Sequence, residues 1–158
     1  MPLRYHFMGV LLVAVILTSC GPEYVYEKAY QIDDSGWSYD DTLVFDFEVV
    51  DTVTIYNLYL DLTYSTQYPN QNVYVRIHTS FPSGERLAEE VSLELSEKGQ
   101  WQGDCNQQRC RQRIPLQTDA FFNQIGPHRF VLEQFMRRNP VTGLEQIALR
   151  IEDTGQRR

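Results

Sequence analysis

The strongest signal in the chain is a two-residue alternation of apolar and polar side chains that returns at regular intervals. Leu43, Phe45, Phe47 and Val49 share one face of an extended segment, with Asp46 and Glu48 on the other. Tyr56, Leu58, Leu60, Leu62 and Tyr64 alternate with Asn57, Tyr59, Asp61 and Thr63. The pattern continues with Val73, Val75 and Ile77 and then with Val91, Leu93 and Leu95. It returns at Phe130, Leu132, Gln134 and Met136, and last at Ile147, Leu149 and Ile151. Successive side chains of a strand point to opposite faces, so each run predicts a strand with one buried side. Val25 to Ile32 adds an edge strand.

Turn residues separate the runs: Asp33-Asp34-Ser35-Gly36, Tyr68-Pro69-Asn70, Phe81-Pro82-Ser83-Gly84, Lys98-Gly99 and Asn139-Pro140-Val141-Thr142-Gly143. Glycine supplies positive φ and proline presets the turn, so each break has a mechanism. Thr118 is placed to cap one short helix through Asp119–Ile125, stopped by Gly126-Pro127. The expected fold is all-β, a single antiparallel β-sandwich, jelly-roll or Ig-like, of seven or eight strands with that one helix.

The N-terminus has a different texture. Phe7 to Leu17 is an uncharged apolar run behind Arg4 and His6. About a dozen residues is too short for a bilayer core of roughly 30 Å at 1.5 Å per helical residue, but it suits the hydrophobic region of a signal peptide. The run ends in Leu17-Thr18-Ser19-Cys20, which is similar to a bacterial lipobox. That resemblance implies cleavage before Cys20, diacylglycerol on its thiol and a further acyl chain on the new amine. Each buried CH₂ contributes about 0.8 kcal/mol, so two or three chains form a lasting membrane anchor. The expected organisation is a signal peptide at 1–19, a lipidated N-terminus and tether at 20–30, a sandwich at 31–154 and a tail at 155–158.

Charge narrows the partners. The formal net charge is −7 and no acid lies in the first 19 residues, so the mature chain is acidic; this excludes nucleic acid as an expected partner. The distribution is uneven, with 16 acids and 4 bases between Gly21 and Asp104 but 5 acids and 9 bases from Cys105 onward. Either the basic half docks an acidic partner, or strands of opposite sign pair within the domain. With Cys20 assigned to lipid, Cys105 and Cys110 remain. In an exported domain they read as a hairpin disulfide, since Cys-x4-Cys lacks the spacing and companion ligands of a metal site.

No catalytic constellation is visible. The mature chain has two histidines, His78 and His128, which read as surface residues and sit in neither a nucleophile elbow nor a zinc-ligand pattern. The adjacent carboxylates Asp33-Asp34, Asp40-Asp41 and Glu89-Glu90 read as solvated turn charges, because neighbours on a strand face opposite ways. The expectation is a non-enzyme without metal or cofactor. Nine of the ten tyrosines lie between Tyr24 and Tyr74; for those facing outward, core packing, a sugar site and a protein interface stay open. Asp41-Thr42-Leu43 and Asp51-Thr52-Val53 resemble the Asp-Thr-apolar acceptor of Bacteroidetes O-glycosylation, which implies modification at Thr42 and Thr52.

The pieces taken in order resemble the GldH family of gliding-motility lipoproteins of Bacteroidetes. The matching residues are the lipobox, Tyr24-Val25-Tyr26-Glu27, Gly36-Trp37, Phe45-Asp46-Phe47, Tyr68 to Tyr74, Gly99 to Gly103, Phe130 to Arg137, and Gly143-Leu144 with Leu149 to Glu152. Gln146 and Ala148 depart from the Asp and Gly expected in the closing motif. The resemblance implies an outer-membrane lipoprotein needed for gliding, linked to type IX secretion and acting through contacts with other envelope proteins. Gly21-Pro22-Glu23 lacks the run of acids that a surface-export signal resembles, so the expected orientation is toward the periplasm. Trp37, Tyr59, Tyr68, Asn72, Tyr74, Trp101, Gln134 and Arg137 form the candidate interaction surface. Gln134, polar on an apolar strand face, should be hydrogen-bonded or line a groove, and Arg137 is suited to a partner carboxylate. A carbohydrate-binding lipoprotein using the outward tyrosines and Trp37 is the alternative. Oligomeric state is left open.

Overall fold

The computed structural model describes residues 21–158. The segment expected to be a signal peptide and the Cys20 expected to carry lipid lie outside these residues. The strands are β1 (Glu23–Gln31), β2 (Leu43–Val49), β3 (Thr54–Ser65), β4 (Asn72–Ser80), β5 (Arg86–Glu94), β6 (Ser96–Glu97), β7 (Gln100–Trp101), β8 (Asp104–Cys105), β9 (Arg109–Ala120), β10 (Gly126–Gln134) and β11 (Leu144–Arg157). They form antiparallel sheets of order β1-β11-β3-β9-β8 and β2-β10-β4-β5, with β6 and β7 as a small separate hairpin.

Without the three short strands, the first, eighth, third and sixth long strands make one sheet and the second, seventh, fourth and fifth make the other. Of the two sandwich types expected, this interleaving is the jelly-roll. The apolar phases of the alternation meet between the sheets. Phe45, Leu60, Leu62, Tyr64, Val73, Val75, Leu93, Leu132, Ile147 and Leu149 are completely buried there. Aromatic pairs join the layers, Tyr26 to Phe47 at 5.5 Å and Tyr30 to Phe45 at 5.3 Å between ring centroids.

Four departures from the sequence expectations have physical causes. No helix forms among the described residues: β9 runs through Thr118 to Ala120, Asp119 takes φ 52°, and Phe122 turns inward between Phe47 and Tyr56. β9 itself has a weak alternation, Ile114 and Leu116 preceded by three arginines and interrupted by Pro115. The strand tolerates that proline because Tyr59 and Pro115 pair where the β3–β9 register shifts. The segment assigned to a tether is strand from Glu23 onward, and the tail is strand through Arg157. His128 is buried, not on the surface, stacked on Phe47 at 5.6 Å with Nδ1 3.0 Å from the Gly126 carbonyl.

Interleaving also resolves the charge asymmetry. Arg113 pairs with Asp61, Arg129 with Asp46, and Arg150 with both Glu27 and Asp61. Bases of the second half thus meet acids of the first across neighbouring strands.

Candidate functional site

The start of β4 and the end of β10 lie side by side at one end of the four-stranded sheet, and the chain past β10 folds over its outer face. Leucine and valine on the inner phases hold these strands to the core; the outer phases carry Asn72, Tyr74 and Arg76 from β4 and Glu133 from β10. The Phe135 N–H donates to the Tyr74 carbonyl at 2.7 Å, which fixes the first residue beyond the strand. Buried Gln134 fixes the next. Its amide oxygen accepts the Met136 N–H at 2.9 Å while its NH₂ faces the Arg138 carbonyl and Asn139 Oδ1 at 3.4 and 3.3 Å. Tyr39 closes the turn by donating its hydroxyl to the Met136 carbonyl at 2.6 Å and its backbone N–H to the Asn139 side-chain oxygen at 2.9 Å.

The result is an open groove of about 1130 Å³ lined by Tyr39, Asn72, Tyr74, Arg76, Phe135 and Arg137, with Gln134 among its walls. Tyr74 and Phe135 are 47% and 40% exposed on an otherwise polar face. The Arg76 guanidinium lies 3.9 Å over the Phe135 ring while it pairs with Glu90 at 2.8 Å and Glu133 at 3.4 Å. Hydrogen bonding to Glu90 holds the Arg76 pKa above its ordinary value, so this cation is permanent. Arg137 and Arg138 make no ion pair among the described residues. Two exposed aromatic rings thus stand beside two guanidinium groups, of Arg137 and Arg138, that form no ion pair among the described residues.

The sequence-predicted residues divide by place. Asn72, Tyr74, Gln134 and Arg137 come together in this groove. Trp37 and Tyr68 are buried; Trp37 donates its indole N–H to the Asp41 carbonyl at 2.6 Å, and the Tyr68 hydroxyl donates to the Asn72 carbonyl at 3.1 Å. A sugar platform built on Trp37 is therefore blocked. Trp101 is half-buried against Tyr64, with its N–H donated to the Thr66 carbonyl at 3.1 Å. Tyr59 lies on the outer face of the opposite sheet, 4.9 Å beneath Arg113, with its hydroxyl donating to Glu152 at 3.1 Å. There the Asp61 carboxylate, helped by Tyr24, holds the Arg113 pKa above its ordinary value.

Tyr39, Arg76 and Phe135 are groove residues that pattern reading overlooked. Phe135 had a legible signal, being apolar on the outward phase set by Glu133; Tyr39 had none, since only the closed loop brings it to Met136. Thr42 is exposed ahead of β2. Thr52 sits in a turn where the Asp51 carboxylate accepts the Val53 and Thr54 N–H groups at 2.9 and 2.8 Å. Cys105 and Cys110 are a cross-strand pair of β8 and β9 joined by a disulfide. His78 Nε2 lies 2.9 Å from Glu133 Oε1, and its ring is hydrogen-bonded to no hydroxyl or thiol among the described residues. No trio of His, Cys, Asp or Glu suited to a metal ion occurs among those residues.

Residues 24–151 match the model of the GldH lipoprotein family. The gliding motility lipoprotein GldH homolog of Christiangramia forsetii is 21% identical over 139 residues, covering 87% of this chain and 85% of the relative. The gliding motility lipoprotein GldH of Flavobacterium johnsoniae is 33% identical over 75 residues, covering 48% of this chain and 46% of that relative. Among solved structures, a family GH115 4-O-methyl-α-glucuronidase with specificity for decorated arabinogalactans aligns with a TM-score of 0.44 and 16% identity over 82% of this chain. This chain spans 18% of that enzyme, and so distant a likeness says nothing about activity. The family match runs from Tyr24 in β1 to Ile151 in β11 and takes in both sheets, so the chain belongs to the GldH family of gliding-motility lipoproteins.

Proposed function

We propose that the mature protein is a noncatalytic docking subunit of the gliding-motility and type IX secretion apparatus, held at the outer membrane by lipid on Cys20 and facing the periplasm. Family membership gives the coarser role, a membrane-associated lipoprotein of gliding motility. The finer reading rests on one observation: two exposed aromatic rings, Tyr74 and Phe135, beside Arg137, which has no ion pair among the described residues, at the end of the four-stranded sheet. Interface hot spots are enriched in tyrosine and arginine, and a rim fixed by backbone hydrogen bonds loses little entropy on binding. The occupant that fits is another envelope protein of the same apparatus, presenting acidic and apolar groups.

The test is a chromosomal replacement carrying Tyr74→Ala and Arg137→Glu. The expected result is loss of colony spreading and of type IX cargo secretion at normal protein abundance. Spreading and secretion both at parental levels would refute the docking role. For orientation, resistance of the protein on intact cells to added protease, with digestion after outer-membrane permeabilisation, is the result expected of a periplasmic face.

A further inference from the structure

The end of the sandwich opposite the groove carries the two most exposed large apolar side chains of the described residues, Val50 and Ile125, with two more beside them. Val50 is 72% exposed and Val53 46% exposed in the β2–β3 turn; Phe121 is 47% and Ile125 61% exposed in the β9–β10 turn. The turns are neighbours. Val49 pairs with Gly126, which sets Val50 beside Ile125, while Arg158 donates its N–H to the Val53 carbonyl and lies 4.1 Å over the Phe121 ring. Nothing in the core requires these positions to be apolar, and turns are otherwise polar.

β1 begins at Glu23 at this same end, since Glu23 pairs with Asp153, Asp153 with Tyr56, and Tyr56 with Ala120 just before Phe121. Only Gly21 and Pro22 separate Cys20 from Glu23, three steps with a reach of about 11 Å when fully extended. A lipid chain on Cys20 therefore holds this end, and no other, within the headgroup region. We infer that the Val50, Val53, Phe121 and Ile125 tip is a membrane seat that inserts shallowly into the leaflet carrying the anchor and stands the sandwich upright. This rests on the reading of Cys20 as lipidated.

The two carboxylates closest to the tip residues are already satisfied. The Asp51 carboxylate is occupied by the Val53 and Thr54 N–H groups and the Thr54 hydroxyl, and Asp153 is paired with Arg157. Glu23, Glu48, Glu85 and Asp119 stay exposed around this end, so the seat depends on apolar contact and not on anionic lipid. The groove, at the far ends of β4 and β10, then stands about 26 Å or more from the leaflet, taking eight steps of 3.3 Å along either strand.

The experiment uses the full lipidated chain in phosphatidylethanolamine vesicles whose acyl chains are brominated near the headgroup, with flotation measured first. Val50→Trp and Ile125→Trp should each lose at least half of their added fluorescence, whereas Tyr74→Trp should keep it; the unsubstituted chain sets the background of Trp37 and Trp101. Adding phosphatidylglycerol should leave the quenching unchanged. Failure to float overturns the inference together with the lipid anchor. Flotation without quenching at Val50→Trp and Ile125→Trp overturns the seat alone and assigns the tip to a protein partner. Equal quenching at Tyr74→Trp also overturns it, since the domain would then lie flat.

Discussion

Tyr64 and Trp101 pack edge to face at 5.5 Å, and each polar tip is satisfied by the residue just past the other's strand: the Tyr64 hydroxyl donates to the Gln102 carbonyl at 2.8 Å, and the Trp101 indole N–H donates to the Thr66 carbonyl at 3.1 Å. The clasp ties the β6–β7 hairpin to the end of β3. Burial pushes the Tyr64 pKa up, so the ring stays a neutral donor. Tyr64→Phe should cost about 1 kcal/mol, the worth of one hydrogen bond with its acceptor left buried. Trp101→Ala, losing a half-buried ring, should cost roughly 2–3 kcal/mol, read as lower urea midpoints at unchanged slope.

The Cys105–Cys110 disulfide closes a small loop at the tip of β8 and β9. On the chain-entropy estimate, Cys105→Ser with Cys110→Ser should lower unfolding free energy by about 2 kcal/mol and leave the circular dichroism spectrum unchanged. A reductant should reproduce the shift in the parental protein and have no effect on the double variant.

Gly103 and Gly99 separate backbone conformation from space. Both have positive φ, 88° and 78°. A Cβ on Gly103 would meet the Arg111 carbonyl oxygen, whereas Gly99 has nothing within 4 Å. Gly99→Ala should cost about 1–2 kcal/mol, the left-handed penalty alone. Gly103→Ala must also push β8 from β9, and its thermal midpoint should fall clearly further.

Acid should destabilise the domain through three aspartates. The Thr54 N–H and hydroxyl with the Val53 N–H lower the Asp51 pKa, Arg129 lowers that of Asp46, and Arg157 lowers that of Asp153. A folded pKa below the unfolded value, about 3.9, contributes stability above that value that is lost as pH falls through the folded one. Thermal midpoints should hold from pH 7 to about 5 and drop below about 4. Asp51→Asn should shallow that acid limb.

The two Asp-Thr acceptors should behave differently. Thr42 is exposed ahead of β2, whereas Thr52 lies between Val50 and Val53 and its carbonyl accepts from Arg158 Nε at 2.9 Å. Peptide mapping of protein from the native host should find glycan on Thr42 and none on Thr52, because a glycan at Thr52 would lift the tip from its lipid seat.

The two-residue alternation by itself determined that the protein is all-β, and it picked the inward residues of β2, β3, β4, β10 and β11 by phase, because a strand with one buried face must repeat every two residues. The turn chemistry was equally local: Lys98-Gly99 makes the two-residue hairpin turn, with both residues at positive φ. Strand order was not legible, since pairing β3 with β9 and β11 depends on surfaces far apart in the chain. β9 went unseen because it lies between β3 and the sheet's short outer strand and carries Pro115 at a register shift. Trp37 and Tyr68 looked like surface anchors, and His128 a surface histidine, because sequence carries no record of which aromatic caps an end of the core. Only the tertiary structure put Asn72, Tyr74, Gln134 and Arg137 at one end and Val50, Val53, Phe121 and Ile125 at the other, because the jelly-roll sends neighbouring strands in opposite directions and so sorts every turn to one of two ends.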